Sequence, residues 1–196
     1  MDSALQPLGK IVRLQVQRAS LKVPASPEER YDPAPLWSVP DLTFTAEGAE
    51  AVLPNGDSAL DIHHAAHPRT KNNQGRNDLS IGFTAHYAAM RERFGPHLAD
   101  GIAGENILVA IDRPVTLEEL AAGVVVETAG GPVRLQNLRV AQPCSPFSKF
   151  AARSTEPESV KGALQFLEKG LRGFYCTFEG EGPVTVAVGD EVFTPF

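Results

Sequence analysis

The feature that most constrains the fold is a series of short segments in which apolar and polar residues alternate. In residues 11–17 every second side chain is apolar, which is the period of a strand with one buried face. The spacing shifts after Arg18, so a bulge is predicted near Ala19 and Ser20. Similar segments, bounded mostly by glycine and proline turns, predict further strands at 42–46, 79–83, 107–111, 124–127, 133–140, 174–178, 184–188 and from 191 onward.

Fewer segments of the sequence predict helices than predict strands, and the predicted helices are short. A helix is predicted over 85–94 with Thr84 as its N-cap. Capping-box sequences that begin at Thr116 and Thr155 predict two more, and the segment after Cys144 is a possible fourth. Because strands and helices do not alternate regularly, the sequence favours a mainly β fold with a few short helices, arranged as a closed or partly closed β-barrel.

Two stretches lack a strand or helix period. Residues 24–40 are proline-rich and are interpreted as an irregular connection rather than a domain boundary, because strand-like segments flank them. Residues 47–77 are polar and rich in glycine, asparagine and histidine, which is typical of a functional or mobile loop. The chain of 196 residues is therefore predicted to be one domain, 1–196.

Composition excludes several classes of partner. The formal net charge of −6 opposes broad contact with nucleic acid. No apolar run approaches the roughly 18 residues of a spanning helix, so no membrane association is expected. The first residues have no basic segment followed by an apolar core, and two cysteines do not make a disulfide framework. A reducing, cytoplasmic location is the simplest prediction.

Cys144 is the most chemically active residue that the sequence indicates. Pro143 and Pro146 place it in a turn before a possible helix, where exposure and the positive end of the helix dipole favour a thiolate. The alternative is a small apolar residue of the core. Cys176 lies among the aromatic residues of 174–178 and is predicted to be packed and inert.

Basic residues suggest where an anion could bind. Arg69, Lys71 and Arg76 form a small basic group in an acidic protein, and arginine forks suit phosphate oxyanions. An ordinary solvated loop is the equal alternative. Arg172 lies within the glycine-flanked segment 170–173, where a ligand could approach closely, although a surface arginine after a helix end would look the same.

Histidine and amide residues give weaker signals. His63 and His67 have the spacing of two metal ligands on a helix, but no third ligand is indicated by spacing, so a metal-dependent hydrolase is the least favoured interpretation. A loop histidine such as His64 lining a pocket is favoured over a metal site, with a plain surface loop still open. Glu105 and Asn106 are expected to hold the shape of a pocket rather than to catalyse.

Five short motifs follow one another in a fixed order along the second half of the chain. They are Gly104-Glu105-Asn106-Ile107, Gln142-Pro143-Cys144, Gly170-Leu171-Arg172-Gly173-Phe174-Tyr175, Gly182-Pro183-Val184 and Gly189-Asp190-Glu191-Val192. Each motif is weak alone, but together they extend over about 90 residues and resemble the MOSC domain, a family named after the C-terminal domain of molybdenum cofactor sulfurase. The matching region is predicted to run from about 42 to 194.

The resemblance implies a barrel-like β fold and a link to the molybdenum cofactor. It also implies either a cysteine persulfide that carries sulfur or the reduction of N-hydroxylated bases. The family's cysteine corresponds to Cys144, which becomes a sulfur carrier or a possible molybdenum ligand. A pocket lined by the loops 63–76, 101–106 and 142–149 is then expected. Its predicted cofactor-binding residues are His64, Arg69, Lys71, Glu105, Asn106 and Arg172.

Partners follow from the same resemblance. A small-molecule cofactor or substrate is expected, together with an external electron donor or a sulfur-donor protein. The alternative is a non-catalytic barrel that delivers cofactor or recognises a partner enzyme, with Cys144 merely packed.

Overall fold

The computed structural model of the protein describes residues 4–26, 28–53 and 55–195. Strands dominate these ranges, and the helices are short. The strands are β1 (Leu5–Gln17), β2 (Lys22–Val23), β3 (Arg30–Tyr31), β4 (Leu36–Val39), β5 (Asp41–Thr45), β6 (Gly48–Val52), β7 (Ser58–Leu60), β8 (Leu79–Phe83), β9 (Ile107–Ala110), β10 (Val124–Thr128), β11 (Gly131–Val140), β12 (Phe174–Phe178), β13 (Val184–Ala187) and β14 (Glu191–Pro195). The helices are α1 (Thr84–Phe94), α2 (Ser145–Ala152) and α3 (Pro157–Leu167).

Seven strands close into a barrel in the order β1, β14, β10, β11, β12, β8, β9 and back to β1. The pair β8 and β9 is parallel, and the other neighbours are antiparallel. Closure removes the exposed edges that an open sheet would present. The predicted mainly β fold with a closed barrel is confirmed.

The long strand β1 closes the barrel. Its first half pairs with β14, its middle with β9 and its last four residues with β4. Register shifts occur between Pro7 and Gly9 and between Ile11 and Arg13. The second shift turns Val12 outward, where it is 45% exposed. The prediction that Val12 is buried together with Leu14 and Val16 was therefore wrong, because a register shift lies within β1 itself, between Ile11 and Arg13.

Apolar side chains fill two adjoining cores. The first fills the barrel and continues against β5, β6, β7 and β13, and the second lies between the barrel wall and helices α1 and α2. In α1 the predicted apolar stripe is confirmed, since Tyr87 and Met90 are fully buried in the second core. The largest fully buried residues of the first core are Phe44, Phe83, Phe174, Ile11, Leu14, Leu42, Leu79 and Ile81.

Both stretches that lack a sequence period contain strands. In the proline-rich region 24–40, β4 extends the barrel sheet by pairing with β1. In the polar region 47–77, β6 and β7 form a second sheet with β5 and β13. The interpretation of both regions as purely irregular was wrong. The pairing with β5 explains the strand at β6, because it buries Ala49 and Ala51 although neither side chain is large.

The helix starts differ from those predicted. Thr84 is not an N-cap but the first residue of α1, and its hydroxyl bonds the backbone of Ile111 (2.9 and 3.0 Å). Thr116 accepts a hydrogen bond from the backbone N–H of Glu119 (3.3 Å), but turns follow instead of a helix. Thr155 does not cap α3. No helix within the described ranges is long and apolar enough to cross a membrane.

Two glycines provide a matched test of the barrel closure. A β-carbon at Gly9 would overlap the carbonyl oxygen of Ala110 on the neighbouring strand. We expect Gly9→Ala to lower the free energy of unfolding by about 1–3 kcal/mol, because β1 must move away from β9. Gly162 in α3 has open space around it, so Gly162→Ala should raise the same quantity by about 0.5–1 kcal/mol.

Urea unfolding followed by circular dichroism measures both effects. A Gly9→Ala protein as stable as the wild type would show that β1 does not pass this closely over β9.

Candidate functional site

A cavity of about 200 Å³ opens beside the barrel, between the barrel and the N-terminus of α2. The three loops predicted to line a pocket all contribute, and so do the end of β1 and the segment that follows it. Sixteen residues line the cavity: Gln17, Leu21, Lys22, Tyr31, His63, Lys71, Asn77, Ser80, Ala103, Gly104, Glu105, Ala141, Gln142, Cys144, Arg172 and Tyr175.

Cys144 lies in the wall of the cavity at the N-cap of α2. Its backbone is extended (φ −116°, ψ 155°), and its carbonyl accepts the first helical hydrogen bond, from Ser148 (2.9 Å). Pro146 in the first turn favours this start, because proline has no N–H to leave unpaired. The half-buried side chain is thus held at a helix terminus and borders open space.

Arg172 reaches the same cavity from the loop before β12. Two glycines with positive φ, Gly170 and Gly173, make the turn that carries it. Its guanidinium donates to the backbone carbonyls of Gln142 (3.2 Å) and Ala103 (3.3 Å). The Nε of Arg172 is a buried donor that has no hydrogen-bond partner within residues 4–26, 28–53 and 55–195. Neutral carbonyls therefore hold the side chain in place, and no carboxylate of the described residues forms a direct ion pair with it.

The charge in the cavity is mainly positive. Lys22, Lys71 and Arg172 line it together with one carboxyl group, that of Glu105. Lys71 donates to the hydroxyl of Ser20 (2.7 Å), and desolvation together with the charge of Lys22 lowers the pKa of Lys71. This arrangement favours an anionic ligand.

Glu105 is nearly completely buried behind the cavity surface. Its Oε2 accepts a hydrogen bond from the hydroxyl of Tyr87 (2.6 Å), which in turn accepts one from the backbone N–H of Ala103 (3.0 Å). Its Oε1 is buried and has no hydrogen-bond partner in the part of the chain that the structure describes. Desolvation raises the pKa of Glu105, although the bond from Tyr87 opposes the shift. The contacts brace the wall segment 103–105 against α1.

Asn106 lies behind the wall and does not line the cavity. Its side-chain oxygen accepts hydrogen bonds from the backbone and hydroxyl of Ser80 (3.0 and 3.1 Å). Its nitrogen donates to the carbonyl of Gln15 (3.3 Å) and to Asp61 (2.9 Å). These contacts suit the structural role expected for this residue, while its predicted contact with a cofactor stays a prediction.

His63 is the histidine that borders the cavity. Its Nδ1 lies 2.8 Å from Oδ1 of the buried Asp61, and its ring packs edge-on against Tyr175 at 5.6 Å between centroids. Sequence analysis missed Asp61, since an aspartate in a polar loop has no pattern of its own. The available signal was its position two residues before a histidine, where a carboxylate can bond the following backbone.

Other predicted binding residues lie outside the cavity wall. His64 is buried and accepts a hydrogen bond from the backbone of Ala66 (3.1 Å). Arg69 and Arg76 are exposed. Of these residues His64 and Arg69 were expected to bind cofactor, and that role stays a prediction. In the ranges that the structure describes, no three His, Cys, Asp or Glu residues form a group able to hold a metal ion.

Tyr31 is a site residue that sequence analysis did not identify. It is buried, its hydroxyl donates to the carbonyl of Ile102 (2.7 Å), and its ring packs edge-on against Phe147 of α2 (4.9 Å). Burial raises its pKa. No sequence pattern marked Tyr31, because β3 has only two residues and is held by pairing with the equally short β2 and by packing on α2.

The family model for the MOSC domain matches residues 69–193. The chain belongs to the MOSC family. This family is associated with functions related to the molybdenum cofactor. A crystal structure of the YUAD protein from Bacillus subtilis has the same fold, with a TM-score of 0.59 and 14% identity over 97% of each chain.

A second solved structure, described as a hypothetical protein, has a TM-score of 0.56 and 12% identity. The match covers 98% of this chain and 67% of that one. At these identities both structures support the fold alone. No curated protein sequence matches the chain.

The buried carboxyl of Glu105 predicts how stability of this MOSC protein depends on pH. Because its pKa is raised in the folded protein, its stabilising contribution is complete below the ordinary value of 4.5 and is lost as the pH rises through the raised pKa. We expect the free energy of unfolding of the wild type to fall with pH relative to Glu105→Gln, which cannot ionise at this position.

Urea unfolding between about pH 4 and pH 8 measures the difference between the two proteins. Glu118→Gln, at an exposed position, is the matched control and should keep the pH dependence of the wild type. Parallel curves for wild type and Glu105→Gln would contradict the prediction.

Proposed function

We propose that the cavity binds the molybdenum cofactor and that the protein reduces N-hydroxylated bases, with Cys144 as a ligand to the metal. The observation that carries this proposal is that the Cys144 side chain borders the same cavity as Lys22, Lys71 and Arg172. A thiol and a group of cations at one cavity suit a ligand that combines a soft metal centre with an anionic part.

The residues of the cavity fit such a group. The buried Nε of Arg172 has no hydrogen-bond partner among the residues that the structure describes, and the other two nitrogens are held by carbonyls at 3.2 and 3.3 Å. A planar guanidinium fixed in this way is prepared for a phosphate oxygen. Lys71 adds a flexible second cation at the rim.

When bound, the molybdenum cofactor would supply a metal centre that exchanges electrons with the substrate. The chain's own residues would bind and orient. Arg172 and Lys71 hold the anionic part, Tyr31 and Tyr175 form apolar walls, and Glu105 keeps the 103–105 segment in position through Tyr87. An external electron donor protein is part of the proposal.

A second candidate function is sulfur transfer through a persulfide on Cys144. It is favoured by the environments of the two thiols. Cys144 is half-buried at the cavity, whereas Cys176 is fully buried in the barrel core, where burial raises the pKa of Cys176 to about 12. Cys176 is therefore unsuited to attack a persulfide on Cys144. A sulfur-donor protein would be the partner.

Substitution of the two cysteines separates these functions. We expect protein purified from molybdate-supplemented cells to contain molybdenum and pterin, and Cys144→Ala to lose most of the metal because its ligand is gone. Cys176→Ala is the matched control and should retain it. Metal analysis and pterin fluorescence measure binding, and intact-mass spectrometry detects one added sulfur atom on Cys144.

The outcomes are distinct. Sulfur on Cys144 without molybdenum would favour the carrier function. Bound cofactor without reduction of an N-hydroxylated base would leave a cofactor-binding module. Neither metal nor added sulfur in the wild type would contradict both functions.

The cationic wall yields a separate prediction. We expect Arg172→Gln to weaken binding of inorganic phosphate by roughly 10-fold to 100-fold, since a hydrogen bond to a charged group contributes about 1.5–3 kcal/mol. Arg134→Gln, on the exposed face of β11, should leave the affinity unchanged. Isothermal titration calorimetry at low salt measures the dissociation constants. Equal affinities for all three proteins would show that Arg172 does not contact the anion.

A further inference from the structure

Asp61 is a fully buried carboxyl group, and its hydrogen-bond partners in the described ranges are nitrogen atoms. Oδ2 accepts from the backbone of Gln17 (2.6 Å) and from the side chain of Asn106 (2.9 Å). Oδ1 accepts from the backbone of His63 (2.9 Å) and pairs with Nδ1 of the same residue (2.8 Å). Since three donors already fix the carboxyl group, its orientation toward the imidazole is fixed as well.

This pairing assigns the tautomer of His63. A carboxylate oxygen accepts hydrogen bonds, so the ring hydrogen is on Nδ1 and points to Asp61. The other ring nitrogen, Nε2, makes no hydrogen bond to a protein group in the described ranges. It is the atom of this ring that can exchange a proton with a molecule in the cavity.

The ring lies where a ligand would be. His63 is 7% exposed and lines the cavity together with Cys144, Arg172 and Tyr175. Tyr175 of β12 packs against its edge. The charged and titratable groups around it are Asp61, His64 and Lys71 of its own loop, Lys22 of β2, Tyr31 of β3, Asp78 before β8, Glu105 before β9, Cys144 before α2, Arg172 before β12 and Tyr175 within β12.

We propose that His63, positioned by Asp61, is the proton donor to the departing hydroxyl group of an N-hydroxylated substrate. The inference rests on the proposed reductase function. The balanced change is R–NH–OH + 2 e⁻ + 2 H⁺ → R–NH₂ + H₂O. The N–O bond breaks, and nitrogen is reduced by two electrons that an external low-potential electron donor supplies.

The two protons go to different atoms. Oxygen leaves as water with the proton from Nε2 of His63, and nitrogen takes its proton from solvent. His63 regains its proton from water at the cavity mouth. Without this donor the oxygen would have to leave as hydroxide, which is a poorer leaving group, so general acid catalysis accelerates the step by roughly 100-fold to 10,000-fold.

The test uses the molybdenum-loaded protein, reduced methyl viologen as electron donor and N4-hydroxycytosine as substrate. We expect His63→Ala and His63→Gln to lower kcat by roughly 100-fold or more, with little change in KM or molybdenum content. Glutamine keeps a hydrogen-bond donor but cannot act as an acid, so equal loss in both variants indicates proton transfer. Added imidazole should partly rescue His63→Ala.

Two further measurements address the positioning role of Asp61. In wild-type protein without cofactor, nitrogen-15 NMR at a pH where the ring is neutral should show the hydrogen on Nδ1, and Asp61→Asn should change this tautomer. The kcat of the loaded Asp61→Asn protein should fall together with this change of tautomer, while its molybdenum content should stay that of the wild type. His67→Ala, outside the cavity, is the control.

The failures of the two proposals differ. If the wild type reduces the substrate and both His63 variants keep its kcat, the proton-donor assignment is overturned and the reductase function stands. An NMR spectrum that shows no hydrogen on Nδ1 of His63 also overturns the assignment. If the loaded wild type reduces no N-hydroxylated base, the reductase function and the role of His63 in it are both rejected.

Discussion

The hydrogen bonds of the Asn106 side chain hold together the strands and the loop behind the cavity wall. Asn106 is 1% exposed. Its hydrogen bonds connect β8 through Ser80, β1 through Gln15 and the loop after β7 through Asp61. Asparagine alone among residues of this size offers both two donors and an acceptor. A substitution of Asn106 that removes these hydrogen bonds would leave buried polar groups unpaired, and each would lower the free energy of unfolding by about 1–3 kcal/mol. The orientation of Asp61, and through it of His63, depends on this anchor.

Most of the barrel could be predicted because its strands appear in the sequence as short alternating or continuously apolar segments, whatever strands they pair with; β8, for example, is buried at all five of its residues. β6 could not, since its small alanines become core residues only by pairing with β5. In the site, Cys144 and Arg172 stand out by their proline and glycine neighbours, which reflect local backbone geometry. Asp61 has no such neighbours, because its importance comes from donors 44 and 45 residues away.

Two opposing effects act on the pKa of Arg172, which contributes to the positive charge of the cavity: desolvation and electrostatic attraction. Desolvation lowers its pKa, but the electrostatic influence of Tyr175, Tyr31 and Cys144 more than offsets this, and the pKa is raised overall. Within the described ranges no carboxylate forms an ion pair with it, so the guanidinium keeps its full charge for a ligand. A carboxylate paired with Arg172 would hold the side chain equally well, but it would neutralise the positive charge that attracts an anionic ligand.

The two sides of the cavity are held by different contacts. His63 is held from the barrel side through Asp61, whereas Cys144 packs with the second core next to α2. Within that core Tyr31 links α2 to the loop before β9, because its ring contacts Phe147 while its hydroxyl bonds the carbonyl of Ile102. A shift of α2 away from this loop would break one of these contacts. Tyr31 therefore helps to hold the helix that begins after Cys144, although it carries out none of the proposed chemistry.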